Sequence, residues 1–254
     1  MKYLLLSAAA VLVTFTPHSA GADEVTLVAP GGIRCPIDRM MPDFERSTGH
    51  KVKSTFGSGG ATHEQVVGGG PFDVNIVQPP YQDVLASGNV VASSEKPLAA
   101  VTVVVGVRRG DPKPDISTPE AVKRMLLAAK AITYPDWAGG KGSYTGLSVD
   151  ETQKKLGIFE QMQPKVKRVQ GVNAAQLLAK GEIDVALAFG SEMRSTDDLL
   201  VVGPLPREIS TPTAFVGFVG ARAKAPDAAK ALLSYLSAPG AAAAYEACVM
   251  QQSR

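Results

Sequence analysis

Residues 54–76 read STFGSGGATHEQVVGGGPFDVNI. The run ending at Phe56 predicts a strand, ATHEQVVGGG a short helix and PFDVNIVQ a second strand. Gly57, Ser58, Gly59 and Gly60 therefore stand at a strand-to-helix turn. Glycine there lets the backbone approach a neighbour closely, and the first N–H groups of the following helix have no partner within it. The stretch predicts a strand–helix–strand unit, with a place where something small meets backbone amides.

The same alternation extends in both directions. EVTLVAP reads as a strand, PIDRMMPDFERSTG as a helix ended by Gly49, and KVKSTFG as a strand. DVLASGNVV is a further short helix and turn. After a Pro-rich loop the pattern restarts with helix EAVKRMLLAAK, strand AITYPD, helix VDETQKKLGI, strand VKRVQ, helix NAAQLLAKG and strand DVALAFG. Strand and helix in alternation predict α/β architecture with mostly parallel sheets flanked by helices. Two long apolar strands, near 98–107 and 211–220, are placed to cross from one unit to the other and back. The closing helices, APDAAKALLSYLS and GAAAAYEACVM, then return to the first unit. The expected division is a signal segment 1–22, a first lobe of 23–102 plus 214–254, and a second lobe of 103–213.

Lys2, the apolar run YLLLSAAAVLVTF and Ala20-Gly21-Ala22 form the pattern of a cleaved secretory signal, against the alternative of a retained anchor. The mature protein is expected in the periplasm, starting near Asp23. The formal net charge of +2, which falls to +1 without Lys2, argues against nucleic acid as a partner. Two cysteines, Cys35 and Cys248, permit one disulfide in an oxidising compartment, two buried thiols being the alternative. No Cys/His cluster has metal-ligand spacing, and no cofactor is expected.

Four loops follow strands and precede helices: APGGIR (29–34), FGSGGA (56–61), DWAGGKGSYTG (136–146) and FGSEM (189–193). In open α/β sheets ligands bind outside the carboxyl ends of strands, so these loops are expected to converge on one cleft. They offer the amides of Gly31, Gly32, Gly59 and Gly60 and the hydroxyls of Ser58, Ser143, Tyr144 and Thr145, with Gly146 beside them. Such groups hold a small anion or polar molecule. Arg34 and Lys141 are candidate cations for a carboxylate or phosphate, or else solvated surface residues. Phe189 lines the cleft or finishes a buried strand. His50 and His63 read as surface residues. AGGKGS lacks the Ser or Thr after Lys141 that a phosphate loop requires, and FGSGG has Phe56 where a hydrolase elbow needs glycine. Asp73 and Asp136 flank strands without a visible base or metal partner.

VTLVAPGGI, then FERSTGHKVKSTFGSGGATHEQVVGGGPFDVNI, LGIFEQ and LAKGEIDVALAFGSE resemble, in order and spacing, the periplasmic molybdate-binding-like proteins of ABC importers. The resemblance covers nearly the whole mature chain. It implies the type II periplasmic binding protein fold, a two-lobed Venus flytrap that encloses its ligand and delivers it, as a monomer, to an inner-membrane ABC permease. It also implies binding loops at APGGI, FGSGG, Thr145 and Gly146, Gly171 and Val172, and Phe189. The chain departs from that family where serine hydroxyls meet the oxyanion, because Gly32 and Gly59 occupy those positions. Pro30 has no N–H to donate, and Phe189 stands where the family has tyrosine. Each lost donor to a charged ligand costs about 1.5–3 kcal/mol. The expected ligand is therefore a small organic anion, with a molybdate- or tungstate-type oxyanion as the alternative. An enzyme or a sensor lobe on the same fold is the remaining possibility.

Overall fold

The computed structural model describes residues 22–168, 174–194 and 196–253. The predicted signal segment 1–22 lies almost wholly outside the described residues, as does Val172.

From the amino end, the chain runs through β1 (Glu24–Pro30), α1 (Arg34–Thr48), β2 (Lys51–Gly57), α2 (Gly59–Val67), β3 (Val74–Val77) and α3 (Gln82–Ala86). β4 (Lys96–Val101) and β5 (Val103–Arg108) follow, then α4 (Pro119–Ala128), β6 (Ile132–Thr133), α5 (Tyr144–Lys155), α6 (Phe159–Met162), α7 (Ala174–Ala179), β7 (Val185–Phe189) and β8 (Leu199–Pro204). β9 (Thr213–Val219), α8 (Pro226–Ser237), α9 (Ala242–Glu246) and β10 (Met250–Gln252) complete it.

These strands form two sheets, in the orders β10-β4-β9-β3-β1-β2 and β6-β7-β5-β8. Each anchors one lobe. Along β3 the side chains alternate between faces as a pleated strand requires. Val74 and Ile76 join the cluster that holds Ile37 and Phe44 of α1 and Leu232 and Leu236 of α8. Val77 joins Val66 of α2 and Val84 of α3 on the other face.

The expectation of mostly parallel sheets is corrected: both are mixed. β1 runs parallel to β2 and β3, and β6 to β7. The connecting strands run the other way, β9 antiparallel to β3 and β4, and β5 antiparallel to β7 and β8. A strand that arrives from the opposite lobe has no crossover helix of its own to reverse it, so it inserts against its neighbours.

The long run near 98–107 is two strands. Chain and sheet change together at Thr102, between β4 in the first sheet and β5 in the second. The second connection leaves β8 and enters β9 across residues 205–212. Among the described residues of VKRVQ only Val166 pairs, through a single bridge to Ile132; Val169 and Gln170 lie outside the described residues. The final helix is shorter than its composition implies. It stops at Glu246, and after Val249, at φ 56°, residues 250–252 pair with β4 as a strand. Cys248 is disulfide-bonded to Cys35, which ties the turn before β10 to the start of α1.

Asp73 finds its role in this frame. Its buried carboxylate accepts from the Thr26 amide at 2.8 Å and hydroxyl at 2.6 Å, and from the amides of Lys224 and Ala225 just before α8. Burial works against its charge, but these hydrogen bonds outweigh it and hold the carboxyl below its ordinary range.

Candidate binding cleft

A cavity of about 940 Å³ opens between the lobes, bordered by all four predicted loops. Of the sequence-predicted residues it brings together Gly31, Gly32, Ser58, Gly59, Ser143, Tyr144 and Phe189. Gly60, Thr145, Gly146 and Arg34 stand apart from it, each for a visible reason.

The Gly60 amide donates to the Gly142 carbonyl at 3.0 Å, and a Cβ there would fall on the Gly140 oxygen. Its glycine serves contact between the lobes. At Gly146 a Cβ would meet the Pro135 carbonyl and, at 2.7 Å, the Trp137 nitrogen, so this glycine seats α5 against its own loop. Thr145 is fully buried and donates its hydroxyl to Glu192 Oε2 at 2.9 Å. Arg34 runs along the outside of α1, paired with Asp38 at 3.2 Å and lying over the Phe56 ring. Lys141 does border the cavity, but its ammonium reaches across the cleft to Glu64 at 3.5 Å.

Two helices start at the cavity. Ser58 caps α2, accepting from the Ala61 amide at 3.1 Å, and Ser143 caps α5, accepting from the Thr145 amide at 3.2 Å. Their first turns give the walls a partial positive charge. The Ser58 hydroxyl is also committed across the cleft, donating to the Lys141 carbonyl at 2.7 Å. On the other side Ser191 Oγ donates to the Gly32 carbonyl at 2.6 Å. The lobes thus touch on both sides of the cavity.

What fills the space beside Gly32 and Gly59 explains why they are glycines. A Cβ on Gly32 would lie 3.1 Å from Phe215 Cζ and 3.5 Å from both Glu192 Oε1 and Phe189. One on Gly59 would meet the Tyr144 ring and lie 2.5 Å from Gln78 Oε1. At Gly59 side chains from elsewhere occupy the place a serine would take, whereas at Gly32 only the Phe215 ring stands closer than ordinary contact. Tyr144 is itself fixed edge-on against Trp137 at 4.8 Å, and burial, with the nearby Asp83 charge, pushes its hydroxyl pKa up.

Sequence reasoning passed over Gln78, Glu192 and Arg194, which all border the cavity. Gln78 is 3% exposed and closes the segment after β3, where a strand's carboxyl end faces the ligand; that position alone was a usable signal. Glu192 lies in the FGSEM loop. The residue is exposed, but desolvation by the protein gathered around its carboxyl raises its pKa, against the lowering effects of the Thr145 hydroxyl and the Phe189 backbone. The Arg194 guanidinium lies against the Cys35 sulfur, which is a poor acceptor. Behind the wall, Arg168 packs over the Tyr134 ring at 4.7 Å and pairs with Asp136 at 3.3 Å and Asp150 at 3.4 Å. His63, read as a surface residue, is half-buried and paired with Asp83 at 2.8 Å. Among the described residues no group of three or more His, Cys, Asp or Glu side chains could hold a metal ion, and no helix is long and apolar enough to cross a membrane.

A family model described as bacterial extracellular solute-binding protein matches residues 25–247. An aconitate isomerase from a Pseudomonas species is 28% identical over 249 residues, covering 95% of this chain and 93% of that protein. The molybdate-binding protein ModA of Azotobacter vinelandii is 26% identical over 231 residues, 88% of each chain. The solved periplasmic molybdate-binding protein of A. vinelandii shares the fold, with a TM-score of 0.73 at 18% identity over 91% of this chain and 100% of that one.

Proposed function

Since the chain belongs to the bacterial extracellular solute-binding protein family, we propose that it captures a small organic carboxylate in the periplasm and passes it to an ABC permease. The lobes that close on the ligand are 23–102 with 214–254, and 103–213, and the protein works as a monomer. The observation that carries the choice of ligand is the filling of the two serine positions. Phe215 crowds Gly32, with Glu192 and Phe189 in contact beside it, and Tyr144 and Gln78 fill the place at Gly59. A tetrahedral oxyanion loses two neutral donors there. The cavity is also at the upper end of the range that holds organic ligands and is far larger than a single tetraoxyanion. In this reading the amides of Gly31, Gly32 and Gly59, the hydroxyl of Ser143 and the guanidinium of Arg194 bind ligand carboxylates, with Tyr144 and Phe189 against its carbon frame. The relative named for aconitate supports the same class.

Thermal melting of residues 23–254 against aconitate, citrate, molybdate, tungstate and sulfate tests this. A ligand at 100 times its Kd stabilises by about 2.7 kcal/mol, a shift of roughly 5–10 °C for a chain of this size. A carboxylate is expected to produce it and molybdate is not; the reverse result overturns the assignment. Arg194→Ala is expected to weaken carboxylate binding about tenfold to a hundredfold, the worth of one charge-assisted pair.

One observation favours a second reading, in which the cleft isomerises its ligand. Glu192 offers a cavity-facing carboxyl steadied by Thr145, placed to move a proton between carbons of an unsaturated acid. Proton NMR of aconitate incubated with the protein in deuterium oxide checks this: exchange of a carbon-bound proton, lost in Glu192→Gln, would establish an enzyme. Unchanged spectra would leave capture alone.

A further inference from the structure

Glu192 is an acidic group on the wall of a cavity that also presents amides, hydroxyls, two helix N-termini and the charged side chains of Asp136, Lys141 and Arg194. An anion brought beside it would face like charge within an enclosed space. Two carboxylates sharing a site do not both stay ionised; one takes a proton and the pair becomes a hydrogen-bonded acid and base.

Among the described residues Glu192 has no ion-pair partner, and the titratable groups around it are engaged elsewhere. On its own loop, Arg194 lies against the Cys35 sulfur and is the cation assigned above to a ligand carboxylate, and Cys35 is bonded to Cys248 and does not titrate. From the start of α1, Arg34 points outward to Asp38. From the loop before α5, Lys141 is engaged by Glu64 and Asp136 by Arg168. From β6 and α5, the Tyr134 hydroxyl is held by Asp150 at 2.7 Å, and Tyr144 is a neutral phenol. From β9 comes only the Phe215 ring, which meets the same Gly32 position as Glu192 Oε1. Thr145 fixes Oε2 and leaves Oε1 on the side of Gly32, the first ligand loop.

We infer that Glu192 holds the ligand as a neutral carboxylic acid, so that capture of a carboxylate is coupled to uptake of one proton shared between Glu192 and the ligand. This rests on the carboxylate reading proposed above and adds a specificity rule to it. The site takes anions that accept a hydrogen bond from a carboxylic acid, and it releases them more readily as pH rises. The enclosure of Glu192, which already raises its pKa without a ligand, acts in the same direction.

The test is calorimetry of aconitate binding to residues 23–254, in two buffers of different ionisation enthalpy, at intervals from pH 5 to 9. The expected result is a pH range in which about one proton is taken up and affinity falls about tenfold per pH unit. Glu192→Gln, which keeps the hydrogen-bond donor and cannot ionise, is expected to bind at high pH at least as well as the parent and to lose that part of the pH slope. Titration of the ligand's own carboxyls contributes equally to both proteins and cancels in the comparison. Binding without proton uptake, or the same pH slope in Glu192→Gln, overturns the inference and leaves the carboxylate reading intact. Loss of all binding in Glu192→Gln, with its unliganded melting temperature unchanged, also overturns it, because an ionised carboxylate would then be the binding form. If aconitate and citrate both fail to bind the parent protein, the reading and the inference fall together.

Discussion

The two walls of the cleft are built on different principles. The first-lobe wall is largely backbone: Pro30, Gly31, Gly32, Gly57, Ser58 and Gly59, with Gln78 as its main larger polar side chain. The second-lobe wall is side chains: Tyr134, Tyr144, Phe189, Glu192 and Arg194. Backbone amides at a helix start bind anions of many shapes, whereas aromatic rings, a carboxyl and a guanidinium in fixed places select among them. In the carboxylate reading proposed above, the first wall supplies the capacity to bind an anion and the second its choice. The two also differ in anchorage. The loop at Gly31–Ile33 leads directly into Cys35, whose disulfide crosses to the segment before β10. The loop 136–146 is held without a covalent tie, by hydrogen bonds from Gly142 and Gly140 to Trp137 and from Ser143 to Asp136, by the ion pairs of Asp136 with Arg168 and Lys141 with Glu64, and by the Trp137–Tyr144 ring contact.

The largest expected effect breaks that difference in anchorage. Cys35 and Cys248 are 213 residues apart in sequence, and closing so long a loop removes about 5 kcal/mol of unfolded-state entropy. The double substitution Cys35→Ala/Cys248→Ala should lower the denaturation midpoint accordingly, measured in guanidinium chloride. Ligand affinity in the variant that remains folded should change little, since the amides of Gly31 and Gly32 remain in place in the short turn between β1 and α1. A large loss of affinity at unchanged stability would show instead that the tie orders the first wall.

Much of the first wall was legible in the sequence. Glycines between a strand and a helix have few other uses, and Ser58 stands where an N-cap must. Gly49 marked the end of α1 and adopts the left-handed conformation there, at φ 79°. The second wall was legible only as loops. That Phe189 ends a strand at the cavity follows from its position, but that Phe215 and Glu192 both come to lie beside Gly32 depends on β7 and β9 meeting there across the whole chain. Gly60 was read together with Gly59, and sequence has no means of separating them. They are adjacent helical residues, and only tertiary packing turns one to the cavity and the other to the Gly140 carbonyl. The switch of sheet at Thr102 was hidden for a related reason: an apolar β-branched run looks the same whether one strand continues or two begin.

The second prediction separates those two glycines. Around Gly59 the obstacles are the Tyr144 ring and the Gln78 amide, side chains that can move; around Gly60 they are the backbone of Gly140 and Lys141. Gly60→Ala should therefore keep the lobes from meeting, with a penalty of about 1–3 kcal/mol in the closed form. Small-angle scattering should show reduced compaction with ligand, and affinity should fall roughly tenfold to a hundredfold. Gly59→Ala should cost less and alter ligand preference more. Equal effects from the two would mean that the loop 138–142 is softer than its hydrogen bonds imply.

The smallest effect is expected at Ser58, which takes part in both walls at once. Its hydroxyl accepts from Ala61 within α2 and donates to the Lys141 carbonyl of the opposite lobe. Ser58→Ala removes a cap and a crossing hydrogen bond, each worth about 1 kcal/mol. The two losses separate by experiment, because the cap is made whether the lobes are open or closed and the crossing bond only when they meet. The cap should appear as a lower melting temperature of the unliganded protein. The crossing bond should appear as about a fivefold faster release of ligand in stopped-flow, since it must break before the cleft opens. Ser58→Gly keeps most of the capping and none of the crossing bond, so it should restore the melting temperature while leaving release fast. Were both variants to release ligand at the parent rate, the second-lobe loop would be held to the first lobe by the Gly60–Gly142 backbone bond and the Lys141–Glu64 ion pair, and the role of Ser58 would end at the start of α2.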